Sequence, residues 1–276
     1  MLHLADIARN LELHDDGIWY SRTRSEVSYP TEGNQACFAI EENSFWFEHR
    51  NTCIIEAARQ FPPAGPILDI GGGNGYVSMG LMQAGIEAIL VEPGMVGATN
   101  ARKRGIESVI CSTLEDAGFV KAALPAAGMF DVLEHIEADA EALKDVREII
   151  RPRGRIYLTV PAYNFLYSHE DHEAGHYRRY SATTLTKLLG SAGFSVEYFT
   201  YIFSFLPIPV YLFRTLPTRF GYRKQVTRDS AQQDHATPSR LAGRLMSMAF
   251  DLEIRRIRKK KTIPFGGSCL IVGRAE

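Results

Sequence analysis

The sequence predicts an α/β protein with a doubly wound, mostly parallel β-sheet. Between residues 66 and 161, short apolar runs typical of buried strands alternate with segments of helical periodicity. The first run, residues 67–70, leads directly into a loop, residues 71–75, that reads Gly-Gly-Gly-Asn-Gly. Alternation of this kind places helices on both faces of a parallel sheet, and a glycine-rich loop after a strand places accessible backbone at the ligand-binding edge.

Length and charge set the outline of the chain. Its 276 residues can bury one large core and still provide a cap, and its formal net charge of −1 gives no reason to expect a nucleic acid as partner. The predicted organisation is an N-terminal cap (1–60), a cofactor-binding core (61–202), an insertion that forms a lid (203–266) and a last core strand (267–276).

The cysteines and the N-terminal segment bear on the compartment. Four cysteines, Cys37, Cys53, Cys111 and Cys269, show no paired spacing, so we expect reduced thiols. Residues 1–12 carry three charges and no apolar signal segment. Both features lead us to expect a cytoplasmic protein.

The spacing of the loop glycines indicates the class of cofactor. Gly71, Gly73 and Gly75 form Gly-x-Gly-x-Gly after Asp69, whereas a dinucleotide fingerprint needs a glycine where Tyr76 stands. No Gly-Lys-Ser/Thr follows, as a phosphate-binding loop would require. The spacing thus disfavours both a dinucleotide and a phosphate-binding loop. A nucleotide-binding oxidoreductase stays open as the alternative interpretation.

Two segments resemble motifs of one enzyme family. Residues 67–75, Ile-Leu-Asp-Ile-Gly-Gly-Gly-Asn-Gly, resemble motif I of the class I S-adenosylmethionine-dependent methyltransferases, and residues 130–136, Phe-Asp-Val-Leu-Glu-His-Ile, resemble motif IV of the small-molecule members of type 11/12. The resemblance extends over residues 66–161. It implies a seven-stranded Rossmann-like sheet and S-adenosylmethionine as cofactor, and an acidic loop suits a cationic sulfonium.

The resemblance also implies which residues hold the cofactor. Glu92 lies about twenty residues past the glycine loop, where an acid accepts hydrogen bonds from ribose hydroxyls. At the adenine position, where many relatives have an aspartate, this chain offers Ser112 or Thr113. The predicted cofactor-binding residues are Asp69, Gly71, Gly72, Gly73, Gly75, Glu92, Pro93, Thr113, Leu114, Phe130 and Asp131.

Two histidines are candidates for proton transfer. If the acceptor is a hydroxyl, a positioned base helps, and we predict His135 first and His176 second. A metal-assisted variant stays open, because Asp131, Glu134 and His135 would share one face of a helix. That spacing resembles the metal-binding segment of some ubiquinone-type and RNA-terminal O-methyltransferases, although we assign no metal ligand and do not favour a divalent metal.

Residues 161–180 form a second cluster, rich in histidine, arginine, tyrosine and acids. It follows the predicted fifth strand on the ligand side of the sheet, so it is predicted to contact the acceptor. Alternatively, its arginines pair with acids and hold the loop in place. With an aromatic residue of the N-terminal cap, the predicted substrate residues are Trp46, Tyr163, His169, Asp171, Arg178, Arg179 and Tyr180.

The insertion permits two interpretations. Residues 203–220 are rich in apolar residues, but the apolar run around Ile202 to Leu216 is too short, and too interrupted by prolines and Arg214, to span a bilayer. Residues 255–261 form a basic block after a helix predicted to start at Thr237-Pro238. The insertion either contacts an anionic membrane surface or packs as a lid with a solvated helix end. The expected acceptor is a small or lipid-like molecule, methylated at a hydroxyl oxygen.

Overall fold

The computed structural model describes residues 4–23, 38, 40–42, 44–221 and 240–276. Within these residues nine strands form a single sheet, in the order β1-β2-β5-β4-β3-β6-β7-β9-β8. The strands are β1 Leu11–Leu13, β2 Trp19–Ser21, β3 Ile67–Ile70, β4 Ala88–Val91, β5 Val109–Cys111, β6 Leu124–Phe130, β7 Ile150–Pro161, β8 Phe194–Ile202 and β9 Ser268–Ala275.

The sheet confirms the predicted fold class. Strands β5, β4, β3, β6 and β7 are parallel neighbours, and β9 inserts antiparallel between β7 and β8. The chain runs outward from β3 in one direction through β4 and β5, and then in the other through β6 and β7. The order therefore reverses between β3 and β6, the place where open α/β sheets bind ligands.

The sheet has two strands more than predicted within the described residues. β1 and β2 come from the predicted N-terminal cap, and β2 pairs parallel to β5 through Trp19 and Tyr20. Each strand is only three residues long, too short for a periodic pattern to predict it. Ile18 and Tyr20 are buried against Val109 and Cys111, so tertiary packing stabilises this edge.

Eleven α-helices are described in the same parts of the chain. They are α1 Leu4–Ile7, α2 Phe45–Gln60, α3 Tyr76–Gln83, α4 Met95–Lys103, α5 Leu114–Ala117, α6 Asp139–Ile149, α7 His169–Glu173, α8 Ala182–Ser191, α9 Pro207–Val210, α10 Leu216–Arg219 and α11 Arg240–Arg258. Short 3-10 turns lie at Leu133–His135 and Asn164–Leu166, and a π-helical turn joins α9 to α10 at Tyr211–Thr215.

The core lies on both faces of the sheet. Leu68 belongs to the cluster that includes residues of α6 and α8, whereas its neighbour Ile67 belongs to the cluster that includes residues of α2, α3 and α11. Successive residues of a strand point to opposite faces, so both faces of this strand are buried.

Helix α11 is joined to α2 by a buried contact between a histidine and a carboxylate. Nε2 of His49 lies 2.8 Å from Oε2 of Glu253, and the Glu253 carboxylate also accepts hydrogen bonds from the backbone of Phe203 and Ser204. The insertion is therefore attached to the cap and to the end of β8. The predicted helix start at Pro238 and the predicted reduced thiol of Cys37 lie outside the described residues, while Cys53, Cys111 and Cys269 are buried free thiols.

Candidate active site

A cavity of about 400 Å³ lies at the carboxyl ends of β3, β4, β5 and β6. This volume is in the range of cofactor pockets, roughly 300–1,000 Å³. We call it the first cavity. Of the eleven predicted cofactor residues, nine line it: Gly71, Gly72, Gly73, Glu92, Pro93, Thr113, Leu114, Phe130 and Asp131.

The loop between β3 and α3 requires glycine for two different reasons. Gly71 has φ +67°, and a Cβ there would lie 2.9 Å from the Val132 side chain, so the bare backbone lets the loop pass close to Val132 at the cavity wall. Gly75 has φ +79° and begins α3, but a Cβ on it would lie 2.3 Å from Ile106. Gly75 does not line the cavity and instead allows the helix to pack.

Glu92 lies at the cavity wall with its carboxylate fixed. It follows β4, is 5% exposed, and accepts hydrogen bonds from the backbone N–H of Gly73 at 2.9 Å and of Gly94 at 2.8 Å. A carboxylate offers about four acceptor positions. Glu92 therefore connects two loops and has the acceptor chemistry that a ribose diol requires.

Asp69 lies beneath the loop and does not line the first cavity. Its carboxylate is 1% exposed and accepts a 2.6 Å hydrogen bond from the hydroxyl of Ser78 in α3. Burial raises the pKa of Asp69 to about 6, although the Ser78 hydrogen bond opposes the shift. The structure places Asp69 as a support for the loop, and its direct contact with a cofactor stays a prediction.

The raised pKa of Asp69 predicts a pH-dependent stability. In the unfolded chain the pKa of an aspartate is about 3.9, so the folded state binds the proton more tightly than the unfolded state does. The free energy of unfolding therefore falls as the pH rises from about 4 to about 6. In Asp69→Asn this loss is absent. We expect the free energy of unfolding of the variant, relative to the native protein, to rise by up to about 3 kcal/mol between pH 4 and pH 7.

Urea unfolding at a series of pH values measures this difference, and a constant offset between the two proteins does not affect it. Asp145→Asn, on the exposed side of α6, is the matched control and should give a curve parallel to the native one. Parallel curves for Asp69→Asn as well would contradict the assignment.

Arg50 is a residue of the first cavity that the sequence did not assign. It projects from α2, is 7% exposed, forms an ion pair with Asp131, and lies 4.7 Å from the ring centre of Trp46. The sequence feature that could have indicated Arg50 is its position at the end of a Phe-Trp-Phe-x-x-Arg segment, residues 45–50. The other lining residues not assigned are Glu41, Ile70, Asn74, Val91, Val132 and Ile136, whereas Ser112, the alternative to Thr113 at the adenine position, also lines the cavity.

A second cavity, of about 460 Å³, lies between α2, the 161–180 loop and the insertion. Three predicted residues line it, namely Trp46, His176 and Arg179. His135 lines the first cavity, and its ring centre is 4.7 Å from that of His176. The two histidines therefore mark the place where the cavities meet.

Asp171 fixes His176 and Arg179. Its Oδ1 lies 2.8 Å from Nδ1 of His176 and 2.8 Å from Nε of Arg179. Burial favours the neutral acid, yet the hydrogen bond with His176 and the charge of Arg179 outweigh it and lower the pKa of Asp171 to about 2. An ionised Asp171 holds Nδ1 of His176 as the donor, which leaves Nε2 to accept a proton.

His135 is a neutral imidazole at physiological pH. Burial, and then the neighbouring His176, lower its pKa to about 4. Beside it, Glu134 is 1% exposed, and burial together with the charge of Asp131 raises its pKa well above the usual range. Burial thus favours the neutral form of both side chains.

Five predicted substrate residues do not line the second cavity, and Asp171, described above, is one of them. Arg178 pairs with Asp139 at 2.7 Å, and the hydroxyl of Tyr180 donates to the same carboxylate at 2.9 Å. Tyr163 stacks on Tyr201 with ring centres 5.0 Å apart, and the backbone N–H of His169 bonds to Thr218. These contacts hold the 161–180 loop in place. The pair between Arg178 and Asp139 is of the kind that the alternative interpretation of this cluster predicted, in which arginines pair with acids.

The proposed helical arrangement of Asp131, Glu134 and His135 does not occur. Asp131 has φ +57° and precedes a short 3-10 turn, Leu133–His135, so these residues do not share a helical face. Folding instead brings His176 to Glu134 and His135, whose ligand atoms lie within 4.8 Å of one another.

Comparison with known proteins assigns the family. A model described as a methyltransferase domain matches residues 48–198, more than half of the chain. The chain belongs to this methyltransferase family. The enzyme is an S-adenosylmethionine-dependent methyltransferase of the Rossmann-like class, which decides against the oxidoreductase alternative. No protein of curated function matches the methyltransferase in sequence.

Solved structures share the fold of this methyltransferase. A chain of the Haloferax volcanii complex that contains the Trm112 methyltransferase activator matches with a TM-score of 0.58 at 16% identity, over 91% of this chain and 99% of its own. A methyltransferase from Thermotoga maritima matches with 0.54 at 18%, over 89% and 96%. Phosphoethanolamine N-methyltransferase 2 from Haemonchus contortus, solved with S-adenosyl-L-methionine, matches with 0.54 at 14%, over 91% of this chain but 58% of its own.

Proposed function

We propose that the enzyme transfers a methyl group to a hydroxyl oxygen of a small, lipid-like acceptor, with His176 as the base. The observation that carries the proposal is the contact between His135 of the first cavity and His176 of the second, with Asp171 behind His176. A base held by a second group beside a ligand cavity is the arrangement that proton transfer requires.

The first cavity fits the cofactor. Bare backbone at residues 71–73 and acidic side chains at Glu92 and Asp131 suit a ligand with a positive sulfur and a ribose diol. S-adenosylmethionine, when bound, supplies a methyl group already activated by its positive sulfur. Glu92 would hold the ribose hydroxyls, and His135 stays neutral, which avoids a second positive charge beside the sulfonium.

His176 is the better base of the two predicted histidines. Its Nδ1 is held by Asp171, so Nε2 receives the hydroxyl proton, and the nearby carboxylate stabilises the imidazolium that forms. His135, with its pKa lowered to about 4, binds a proton too weakly for this task. We assign it the role of orienting the acceptor oxygen.

The second cavity fits an amphipathic acceptor. Its walls include Trp46, Leu206, Val210 and Phe213, which offer an apolar surface, while Arg179 provides positive charge at the same wall as His176. Such a lining favours a molecule with an apolar body over a free sugar.

Labelled methyl groups test the proposal. The enzyme is incubated with methyl-labelled S-adenosylmethionine and a cell extract, and the label is sorted among lipid, small-molecule, protein and nucleic-acid fractions. We expect the label in the lipid or small-molecule fraction, as a methyl ether that resists alkaline hydrolysis. Label confined to nucleic acid or protein, or present as an N-methyl amine, would contradict the proposal.

A metal-assisted version of the same reaction is favoured by one observation. Among the described residues, Oε2 of Glu134 is buried without a hydrogen-bond partner, close to the ring nitrogens of His135 and His176. These three side chains would hold a divalent cation, and imidazole ligands suit Mn²⁺ or Zn²⁺ better than Mg²⁺. Methyl transfer at full rate after exhaustive chelation excludes this version and leaves His176 as the base.

A further inference from the structure

The chain from Pro207 to Phe220 has two apolar sides. We call it the foot segment; it includes α9, the π-helical turn and α10. On the inside, Pro209, Val210 and Phe213 line the second cavity together with Arg214. On the outside, four large apolar side chains reach solvent: Ile208 is 64% exposed, Leu212 47%, Phe213 76% and Phe220 82%.

Such exposure distinguishes the foot segment from an ordinary lid. Single exposed apolar residues are common on protein surfaces, but four within thirteen residues form a patch of the kind found at interaction sites. A lid that only covered the cavity would need apolar residues on its inner side alone.

The charge of the foot segment indicates its partner. It contains Arg214 and Arg219 and no acidic residue. Helix α11 packs near the start of the segment, where Phe250 lies 5.5 Å from Phe205. The helix carries Arg255, Arg256 and Arg258 in its last turn, of which Arg258 pairs with Glu56 of α2, and Lys259, Lys260 and Lys261 follow. Within the described parts of the chain, no helix is long and apolar enough to cross a bilayer.

We propose that the foot segment docks the enzyme on an anionic membrane surface. Its exposed apolar side chains would enter the interface between headgroups and acyl chains, and the exposed Arg219 would lie near the lipid phosphates. Phe213 belongs both to the exposed patch and to the wall of the second cavity. A lipid-like acceptor would thus pass from the membrane directly into the cavity. This entry of the acceptor rests on the proposed function, whereas docking on the membrane is independent of it.

Vesicle co-sedimentation of the full chain tests docking, without cofactor or acceptor. We expect binding to phosphatidylcholine vesicles that contain about one-third phosphatidylglycerol, and weaker binding to pure phosphatidylcholine at the same salt concentration. Ile208→Ser combined with Phe220→Ser should lower the partition coefficient at least about tenfold, because two apolar side chains leave the interface. Neither residue lines either cavity.

The matched control is Leu13→Ser combined with Met82→Ser. Both side chains are exposed, at 53% and 38%, and Leu13 lies in β1, at the edge of the sheet opposite β8. The control should bind vesicles as the native chain does. Absence of binding to anionic vesicles, or equal loss in both variants, would overturn the proposal.

Three further outcomes separate docking from the alternatives. If the native chain self-associates in solution and only the foot variant is monomeric without any vesicle binding, the patch binds a second copy and membrane docking is wrong. Vesicle binding without methyl transfer to any lipid leaves docking valid and removes the lipid-like acceptor from the proposed function. Methylation of a lipid-like molecule by a chain that does not bind vesicles would overturn docking and leave the proposed function valid.

Discussion

His176→Ala is expected to lower the rate of methyl transfer between about 10²- and 10⁴-fold, the usual contribution of a positioned base. The variant removes the group whose Nδ1 is held by Asp171 at 2.8 Å. His176 does not line the first cavity, so the dissociation constant for S-adenosylmethionine should stay within about twofold in calorimetry. Rates are measured on the extract fraction that takes up the labelled methyl group.

Two comparisons separate proton transfer from a structural role. His172→Ala removes a histidine from the same region that is 77% exposed, and should leave the rate unchanged. Added imidazole should restore part of the rate of His176→Ala, which a merely displaced loop would not allow. A rate for His176→Ala close to native would transfer the role of base to His135 or to a bound metal.

Glu92→Ala is expected to weaken binding of S-adenosylmethionine by about 10²-fold or more. The change removes the acceptor for the ribose hydroxyls and also the partner of the Gly73 and Gly94 N–H groups, and hydrogen bonds to a charged group contribute about 1.5–3 kcal/mol each. The glycine loop would lose the contact that fixes it. Isothermal titration calorimetry measures the dissociation constant directly.

The same strand provides the control for Glu92. Glu87 precedes β4, whereas Glu92 follows it, and Glu87 is exposed and distant from the first cavity. Glu87→Ala should bind the cofactor as the native enzyme does. Glu92→Gln, which keeps one acceptor oxygen, should give an intermediate affinity. Binding by Glu92→Ala within about threefold of native would show that the ribose is held elsewhere.

The cofactor half of the site follows from local sequence, and the acceptor half does not. In a parallel sheet all strands end at one edge, so a glycine loop after β3 and an acid after β4 must come together. Glu92 and Gly73 do so, and they are only nineteen residues apart. The two exceptions, Asp69 and Gly75, do not line the cavity. Asp69 points from β3 toward Ser78 of α3, and Gly75, at the start of α3, packs against Ile106.

The acceptor half depends on contacts between distant parts of the chain. The hydrogen bond from His169 to Thr218, which joins the 161–180 loop to the insertion, spans 49 positions, and His49 and Glu253, which join the cap to the insertion, are 204 positions apart. No local period links such residues. For the same reason, the sequence did not separate His176 and Arg179, which line the second cavity, from Arg178 and Tyr180, which hold the loop.

The sequence by itself determined the α/β class, the glycine loop, the acid at the end of β4 and the family, because each depends on residues close together in one strand–loop–helix unit. Tertiary structure alone decided that β1 and β2 join the sheet, that Asp171 holds His176 beside His135, and that the insertion walls a second cavity while exposing apolar side chains. The physical reason is that these contacts join segments that are far apart in the chain. No local sequence pattern marks such partners, so only the packed structure shows which polar groups are buried together and pair.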